Sequence, residues 1–456
     1  MTMTMTRNWK PSSFNMPFSE SDDMTLLLNA RNGQTLELDM AGWAIVKRCL
    51  DGLKHGEAGP DRELVSCLAT LGFVVPAELD EFSDEEERLR LNKVDKSRLF
   101  VTIAPTMACN QHCSYCFQRS IAKTKIMSEE LQQATVEFVR RQLGDSRQLV
   151  VQWFGGEPLI GYAAITFMTR AFKAICAERG IDYYAEMLTN GVLLTPERVA
   201  ALPELSIKAL QISLDGTPET YSGRRQVPIA KAEAHYRFLA EHVQDIVDAT
   251  GSLTMRINVD RDNIEEAKYV VRLFKSHGVV DHRIDFRLGF INTSRGLVDC
   301  VPHDCFTNTE FAEKELVFRR FLEAEGYMVF GMPRPKRYPC TAVVRNSFTI
   351  DPHGNLGKCI PAVGTSQSTF ARILPDDMDR TLRDATTAEM PYERFNPFHS
   401  EGCGGCLMLP TCLGSCPKHH VSGRRVVACS MREGFGDKIT FYHRFHKRRL
   451  DSRTQA

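Results

Sequence analysis

Two groups of cysteines are the residues of this sequence most able to do chemistry. The chain has 456 residues and 15 cysteines. The first group is compact: Cys109, Cys113 and Cys116. The second lies toward the end of the chain: Cys340, Cys359, Cys403, Cys406, Cys412, Cys416 and Cys429. The first ten residues lack the apolar core of a signal peptide, so we expect a cytoplasmic chain whose reduced thiols bind metal.

The first group has the spacing of an iron–sulfur site with one open position. Three thiolates on one short loop hold three irons of a [4Fe–4S] cluster and leave the fourth iron without a protein ligand. An open coordination position is what catalytic metals need. The alternative is zinc with His112 as the fourth ligand, which the spacing disfavours because zinc motifs usually pair their cysteines as Cys-x-x-Cys.

Four polar motifs follow predicted strands and surround this loop with candidate binding residues. They are Gly155-Gly156-Glu157-Pro158, Thr189-Asn190-Gly191, Ser213-Leu214-Asp215-Gly216 with Arg225 downstream, and Arg256-Ile257-Asn258-Val259-Asp260. Glycine lets a backbone approach a ligand closely. In barrels of parallel strands the chemistry sits at the carboxyl ends of the strands, which is where these motifs fall.

The elements that must position these motifs are alternating strands and helices. The predicted strands are Phe100–Ile103, Leu149–Phe154, Tyr184–Leu188, Ala209–Ser213, Thr254–Val259 and Ile284–Arg287. Helical patterns between them include Ser128–Leu143, Ala163–Arg179, Lys231–Val247 and Asn263–His277. Strand–helix alternation with right-handed crossovers predicts a parallel sheet curled into a partial (β/α)6 barrel, an α/β fold.

We predict four segments along the chain. Residues 1–88 form a winged-helix-like domain, with a hairpin at Asn32-Gly33, two helices and a final strand. Residues 89–98 are a charged linker, and the acidic run 84–87 before it is expected to be solvated. The barrel covers 99–333, and a cysteine-rich domain with a helical, basic tail covers 334–456. Too little apolar surface there predicts that metal holds that region together.

The first cysteine loop and Gly155–Pro158 together resemble the radical S-adenosylmethionine (SAM) superfamily. The resemblance implies that the open iron chelates SAM, that SAM is cleaved to a 5′-deoxyadenosyl radical, and that this radical takes hydrogen from a substrate. It also implies a flavodoxin- or ferredoxin-type electron donor. The residues it assigns to SAM are Tyr115, Gly155, Gly156, Glu157, Asn190, Ser213, Asp215 and Arg225. For Asn190, Asp215, Arg225 and Asn258, structural roles at strand ends are an equal alternative.

The second cysteine group, with Gly354 between its first two members, resembles the SPASM domain. That resemblance implies two auxiliary [4Fe–4S] clusters and therefore three clusters in all. The distal one would be held by Cys403, Cys406, Cys412 and Cys429. The proximal one would be held by Cys340, Cys359 and Cys416. Its fourth position is either closed by Cys300 or Cys305 or left open for a substrate thiolate. A zinc ribbon would explain only the Cys403/Cys406 pair.

The resemblance implies a peptide maturase that acts on a ribosomally made precursor. Residues 71–75 followed by Asp80-Glu81 are similar to the end of the domain with which such enzymes bind a leader peptide. The product would be a thioether or carbon–carbon crosslink or a related modification. One alternative is an anaerobic sulfatase maturase, although its aspartate after the second SPASM cysteine is replaced here by Ile360. Another is a non-catalytic scaffold stapled by clusters.

Charge and hydropathy argue against two further classes, proteins that bind nucleic acid and proteins that span a membrane. Lys plus Arg and Asp plus Glu both number 57, so the net charge is zero and no basic surface for nucleic acid is indicated. The winged-helix pattern alone leaves DNA binding as a minor alternative. No apolar run approaches the roughly 18 residues of a transmembrane helix, so we expect no membrane partner.

Overall fold

The computed structural model describes residues 8–21, 23–56, 61–118, 121, 126–291, 306–329, 331–366, 369–418 and 434–454. The strands are β1 Trp9–Pro11, β2 Asn15–Ser21, β3 Met24–Asn29, β4 Thr35–Asp39, β5 Val74–Pro76, β6 Arg98–Ile103, β7 Gln148–Trp153, β8 Asp182–Thr189, β9 Ile207–Leu214, β10 Leu253–Val259, β11 Ile284–Phe290, β12 Ser347–Ile350, β13 Asn355–Gly357 and β14 Ala371–Arg372. The helices are α1 Met40–His55, α2 Arg62–Thr70, α3 Glu81–Val94, α4 Glu129–Gln142, α5 Tyr162–Arg179, α6 Pro196–Ala201, α7 Pro218–Arg225, α8 Ile229–Thr250, α9 Ala267–Ser276, α10 Asn308–Ala324, α11 Met378–Thr387, α12 Leu409–Cys412 and α13 Phe435–Thr454.

The chain divides into two compact units that do not coincide with the four predicted segments. Unit 1 contains Met1–Lys93, Gly331–Cys340 and Arg394–Ala456, and unit 2 contains Val94–Phe330 and Thr341–Glu393. The boundary predicted at 88/89 falls inside α3. The boundary predicted at 333/334 would separate from the barrel three short strands that extend its sheet. The four-segment division therefore stays a prediction based on the resemblance.

Unit 2 is built on one nine-stranded sheet. Its order is β11-β10-β9-β8-β7-β6-β12-β13-β14, and β6 to β11 are parallel neighbours in chain order. This arrangement confirms the predicted α/β fold with a partial barrel. Strand β12 joins β6 in parallel, with Phe348 opposite Val101, and then turns back through β13. Weak periodicity hid these short strands from sequence analysis.

The two faces of this sheet differ in chemistry. One face packs against the helices: Phe172 of α5 contacts Tyr183 of β8, and Phe274 of α9 contacts Phe286 of β11. The other face carries polar side chains on successive strands, where Thr102 donates to Gln152 (3.2 Å) and Gln152 donates to Glu186 (3.5 Å). The interior of a closed eight-stranded barrel is normally filled by branched apolar residues. A polar, partly exposed face is instead suited to a bound molecule.

Unit 1 contains a three-stranded antiparallel sheet, β2-β3-β4, and the β1–β5 pair. Leu27 of β3 contributes to an apolar cluster with α1 and α2 that includes Val46 and Leu68. The opposite face carries Leu26 and Leu28, which lie in a second cluster. The other buried members of that cluster are Phe14, Met16, Ala30, Met408, Phe435 and Ile439. The first and last parts of the chain therefore share a hydrophobic core.

The acidic run on α3 is not simply solvated, contrary to expectation. Glu85 is 2% exposed, as is Glu81 at the start of the helix. Arg31 lies between them and bonds to Glu85 (3.1 Å), and Ser12 donates to Glu81 (2.7 Å). Buried carboxylates are stable when paired and hydrogen-bonded in this way.

One helical stretch in the described part of the chain, Pro158–Arg179, has the length and apolar composition to cross a membrane. It contains α5, whose buried residues include Ile165, Met168 and Phe172. A helix packed in the core of a globular domain can pass the same test of length and composition.

Candidate active site

The first cysteine loop is held by backbone hydrogen bonds on two sides. On one side the amide of Glu157 donates to Ala108 O (2.9 Å). On the other side the amides of His112 and Ser114 donate to the carbonyls at the end of α7, with N–O distances of 3.1 and 3.0 Å. Thr217 caps the start of α7 through its side chain, and Pro218 begins the helix. The loop is thus fixed between the Gly155–Pro158 motif, which follows β7, and helix α7, which follows β9.

Gly155 and Gly156 occupy places where a side chain does not fit. A Cβ at Gly156 would lie 2.3 Å from Ala108 O and 2.5 Å from Met107 O. Gly155 has φ +126°, and its Cβ would lie 2.2 Å from Thr106 O. Two glycines therefore let the second-strand motif lie directly against the start of the cysteine loop.

Glu157 is fully buried, and its hydrogen bonds connect the motif after β7 to the end of β8. One carboxylate oxygen accepts from Thr189 Oγ1 (2.7 Å) and the amide of Leu159 (3.0 Å), and the other accepts from the amide of Asn190 (2.8 Å). Burial raises the pKa of Glu157, while these hydrogen bonds oppose the rise. Asn190 in turn donates to Asn110 Oδ1 (2.7 Å), which connects the motif at the end of β8 to the cysteine loop.

A buried ion pair forms the centre of the site. Arg225 Nε donates to Asp215, and the exposed fractions of the two side chains are 3% and 0%. The other Asp215 oxygen accepts from the Tyr115 hydroxyl (2.6 Å). Burial disfavours the charged form of Arg225, but Asp215 raises its pKa well above the ordinary value. Both carboxylate oxygens are therefore used within the protein, which favours the structural alternative for Asp215.

Arg225 retains one guanidinium nitrogen without a partner among the described residues. Its Nη1 donates to Gln111 Oε1 (2.9 Å), and its guanidinium carbon lies 4.6 Å from the Tyr221 ring centre. Its Nη2 is buried without a hydrogen-bond partner among the described residues. Gln111 is 3% exposed and also bonds to Tyr221. Sequence analysis missed Gln111 and Tyr221, because neither belongs to a recognisable motif. The only signal for them is position, since Gln111 lies within the cysteine loop and Tyr221 lies on α7.

Residues of strand β10 belong to the same hydrogen-bond network. Asn258 donates to the Tyr115 hydroxyl (3.3 Å) and accepts from Arg256 Nε (3.0 Å). Arg256 lies over Gly289 of β11, where a Cβ would be 2.6 Å from its Nε. Ser213, also assigned to SAM by the resemblance, is a partly buried residue one position before the end of β9.

The three thiols lie close enough to interact electrostatically. Burial raises the pKa of Cys113 to about 11, the nearby Cys116 and Cys109 add to the rise, and Arg225 opposes it. Among the described residues no three His, Cys, Asp or Glu side chains converge as ligands of a single ion. A [4Fe–4S] cluster makes a different demand, because each thiolate binds its own iron.

The C-terminal cysteines lie on tight turns. The amide of Cys406 donates to Cys403 O (2.9 Å), and Gly405 has φ +78°. Between Cys412 and Cys416 the backbone has positive φ at three consecutive residues: Leu413 (49°), Gly414 (77°) and Ser415 (61°). Such a conformation costs roughly 1–2 kcal/mol at each residue other than glycine, so the loop stores strain of the kind found at binding sites. Cys300, Cys305 and Cys429 lie outside the described residues.

Cys359 follows a short hairpin that explains the SPASM-type glycine. The turn between β12 and β13 has Gly354 at φ +79°, and Asp351 accepts from the amides of His353 and Asn355. A Cβ at Gly354 would lie 3.0 Å from Leu131 Cδ1. The backbone conformation and the close neighbour both favour glycine at this position.

Comparison with known proteins identifies the barrel. Residues 103–295 match the radical SAM superfamily model, so this region of the chain belongs to that superfamily. It is similar to the radical SAM cyclopropyl synthase TigE of Paramaledivibacter caminithermalis, with 28% identity over 145 residues, which are 28% of this chain and 30% of TigE. It is also similar to the AdoMet-dependent heme synthase of Methanosarcina barkeri, with 27% identity over 194 residues, 42% of this chain and 50% of that protein.

A solved structure extends the likeness in fold. The structure of anSMEcpe with bound AdoMet has a TM-score of 0.55 and 15% identity, covering 76% of this chain and 99% of that one. The chain spans half or less of these two curated relatives. Membership implies SAM and a [4Fe–4S] cluster as cofactors. The three neighbouring thiols and the unpartnered Arg225 Nη2 fit these groups.

Proposed function

We propose that this chain is a peptide maturase that takes hydrogen from a residue of a ribosomally made precursor and forms a thioether or carbon–carbon crosslink or a related modification. The observation that carries the proposal is the polar face of the barrel sheet. Glu186 lies on this face, half-buried, and burial raises its pKa. A carboxyl in this setting is a hydrogen-bonding group for the polar atoms of a peptide.

The roles proposed for the site residues follow from their contacts. Cys109, Cys113 and Cys116 would hold the cluster, and bound SAM would supply the radical that abstracts hydrogen. Gly155 and Gly156 would hold the end of β7 close against the cysteine loop, and the unpartnered Nη2 of Arg225 would bind the carboxylate of SAM. Glu157, Asn190 and Tyr115 would hold the strand ends and the cysteine loop in register, while Ser213 would face SAM from β9.

The N-terminal sheet supports a peptide substrate. Strand β4 pairs only with β3 among the described strands, so it forms an edge of the three-stranded sheet. An extended peptide binds such an edge by strand addition. We propose a leader peptide as the partner of β4, with a flavodoxin or ferredoxin as electron donor, no role for nucleic acid or membrane, and a cytoplasmic location.

The test of the reaction uses a short precursor encoded beside the gene. Anaerobically reconstituted enzyme, SAM and a reductant should convert it to a product lacking two hydrogens, with 5′-deoxyadenosine formed in step. SAM cleavage with an unchanged peptide would contradict the proposal. Formylglycine at a Cys or Ser would instead establish the sulfatase-maturase alternative.

The test of leader binding uses hydrogen exchange on the intact chain. The precursor should slow exchange of the Thr35–Asp39 amides, because a paired strand protects its N–H groups. Exchange in Asn355–Gly357 provides the internal control and should not change. Unchanged exchange in β4 despite measured peptide binding would rule out this edge, and specific affinity for duplex DNA would favour a DNA-reading role.

A further inference from the structure

Lys358 is a buried cation that the site described so far does not use. Its side chain lies among the largest fully buried ones of the chain, and the residue is 2% exposed. Its Nζ donates to three carbonyl oxygens: Val344 O at 2.7 Å, Arg345 O at 2.9 Å and Ser347 O at 2.5 Å. An ammonium group has three donors, so every donor is satisfied.

Two aromatic rings also lie close to the Lys358 ammonium group. Nζ lies 4.8 Å from the Phe348 ring centre and 5.9 Å from that of Phe370. Burial lowers the pKa of Lys358 to about 7. The carbonyl dipoles and ring faces act in the opposite direction, because both attract a cation. A lysine with this many dedicated partners holds its neighbours in place.

The segments that Lys358 joins are those next to two predicted cluster ligands. Val344 follows Cys340 by four positions, and Lys358 directly precedes Cys359. The segment that carries the carbonyls is itself anchored on the barrel, since Asn346 O accepts from the amide of Phe100 (3.1 Å). The hydrogen bonds of Lys358 therefore fix the chain before Cys359 against the chain after Cys340 without any metal.

We propose that Lys358 is a positioning residue for the proximal auxiliary cluster. Its three hydrogen bonds to backbone carbonyls hold the two ligand-bearing segments in place before the cluster is inserted. The inference rests on the proposed auxiliary clusters, so its test must separate their absence from a failure of Lys358.

The first experiment counts auxiliary iron. In a Cys109→Ala/Cys113→Ala/Cys116→Ala background the reconstituted chain should hold about eight irons, from two clusters of four. Adding Lys358→Met should reduce this to about four and remove one of the two auxiliary signals in electron paramagnetic resonance. Lys358→Arg keeps a cation with several N–H donors and should restore most of the loss.

The outcomes separate the two proposals. Absence of auxiliary iron in the background chain itself would contradict the auxiliary clusters. Full iron content with both auxiliary signals present in a folded Lys358→Met chain would overturn the role of Lys358, as would equal losses with Met and Arg. The matched control is Arg319→Met, which removes a buried cation bonded to Phe286 O at the other end of the same sheet and should keep about eight irons.

The second experiment needs no variant and covers the case in which Lys358→Met does not fold. In metal-free wild-type chain, the amides of residues 344–350 and 355–358 should already be protected from hydrogen exchange, because the lysine holds them together. Exchange there at the rate of an unfolded chain, with protection only after reconstitution, would overturn the proposal.

Discussion

At the scale of single residues, the Asp215–Arg225 pair decides the stability of the site. Asp215→Asn leaves the Arg225 guanidinium buried without its counter-ion, and breaking a buried pair in this way costs about 3–5 kcal/mol. Urea unfolding of the SAM-free protein measures the loss. Glu87→Gln breaks the exposed pair with Arg90 and should produce no detectable change. Equal stabilities of the two variants would refute the structural importance of the buried pair.

His235 gives the site a pH dependence of known sign. Burial lowers its pKa from 6.5 to about 3, so between these values the unfolded chain binds a proton that the folded chain does not. Stability contributed by the neutral ring is present above pH 6.5 and is lost as the pH falls. His235→Phe should remove about 2 kcal/mol of the decrease between pH 7.5 and pH 5. Parallel pH profiles of the free energy of unfolding would contradict this prediction.

At the scale of elements, Gly156 controls how closely β7 approaches the cysteine loop. Gly156→Ala pushes a Cβ into two backbone oxygens, so the loop must move and SAM binding and cluster iron should both fall. Gly223→Ala in α7 is the matched control, because a Cβ there meets nothing within 4 Å. It should stabilise the helix by roughly 0.5–1 kcal/mol and leave cluster iron unchanged. Iron content and isothermal calorimetry with SAM measure the difference.

The strands of the barrel were predictable because apolar runs alternate with helical patterns along the chain. The motifs of the candidate site could be recognised because Cys109 to Cys116 and Gly155 to Glu157 are local patterns, and their roles stay predictions. Contacts made across the fold were not: the acidic run on α3 looks solvated in sequence, and only the folded chain places Arg31 beside Glu85. Strand β12 was missed because four residues carry too little periodicity for a prediction.

At the scale of the whole molecule, the metal content of the protein tests the predicted number of clusters. Three [4Fe–4S] clusters correspond to about twelve irons per chain. Replacing the three cysteines of the first loop by alanine should remove about four of them together with all SAM cleavage. Near-stoichiometric zinc with little iron, in protein purified without oxygen, would contradict the assignment.

Unit 1 depends on its C-terminal helix for stability. Ile439 is fully buried in the cluster shared with Phe14 and Leu26, and truncating such a side chain to alanine costs about 2–5 kcal/mol. Asp437→Ala, at an exposed position of the same helix, should cost less than about 1 kcal/mol. In a Trp153→Phe background the remaining tryptophans, Trp9 and Trp43, report unfolding of unit 1 alone. Similar midpoints for the two variants would show that α13 adds little to this core.

The shared core also determines when unit 1 can finish folding during translation. Strands β2 to β4 are synthesised long before Phe435 and Ile439, which lie with Leu26 and Leu28 in the same apolar cluster. At bacterial and eukaryotic synthesis rates the interval between residues 93 and 435 is about 20–70 s. During that time the nascent sheet carries an uncovered apolar face, a binding surface for a chaperone. The core of unit 1 is complete only when α13 leaves the exit tunnel.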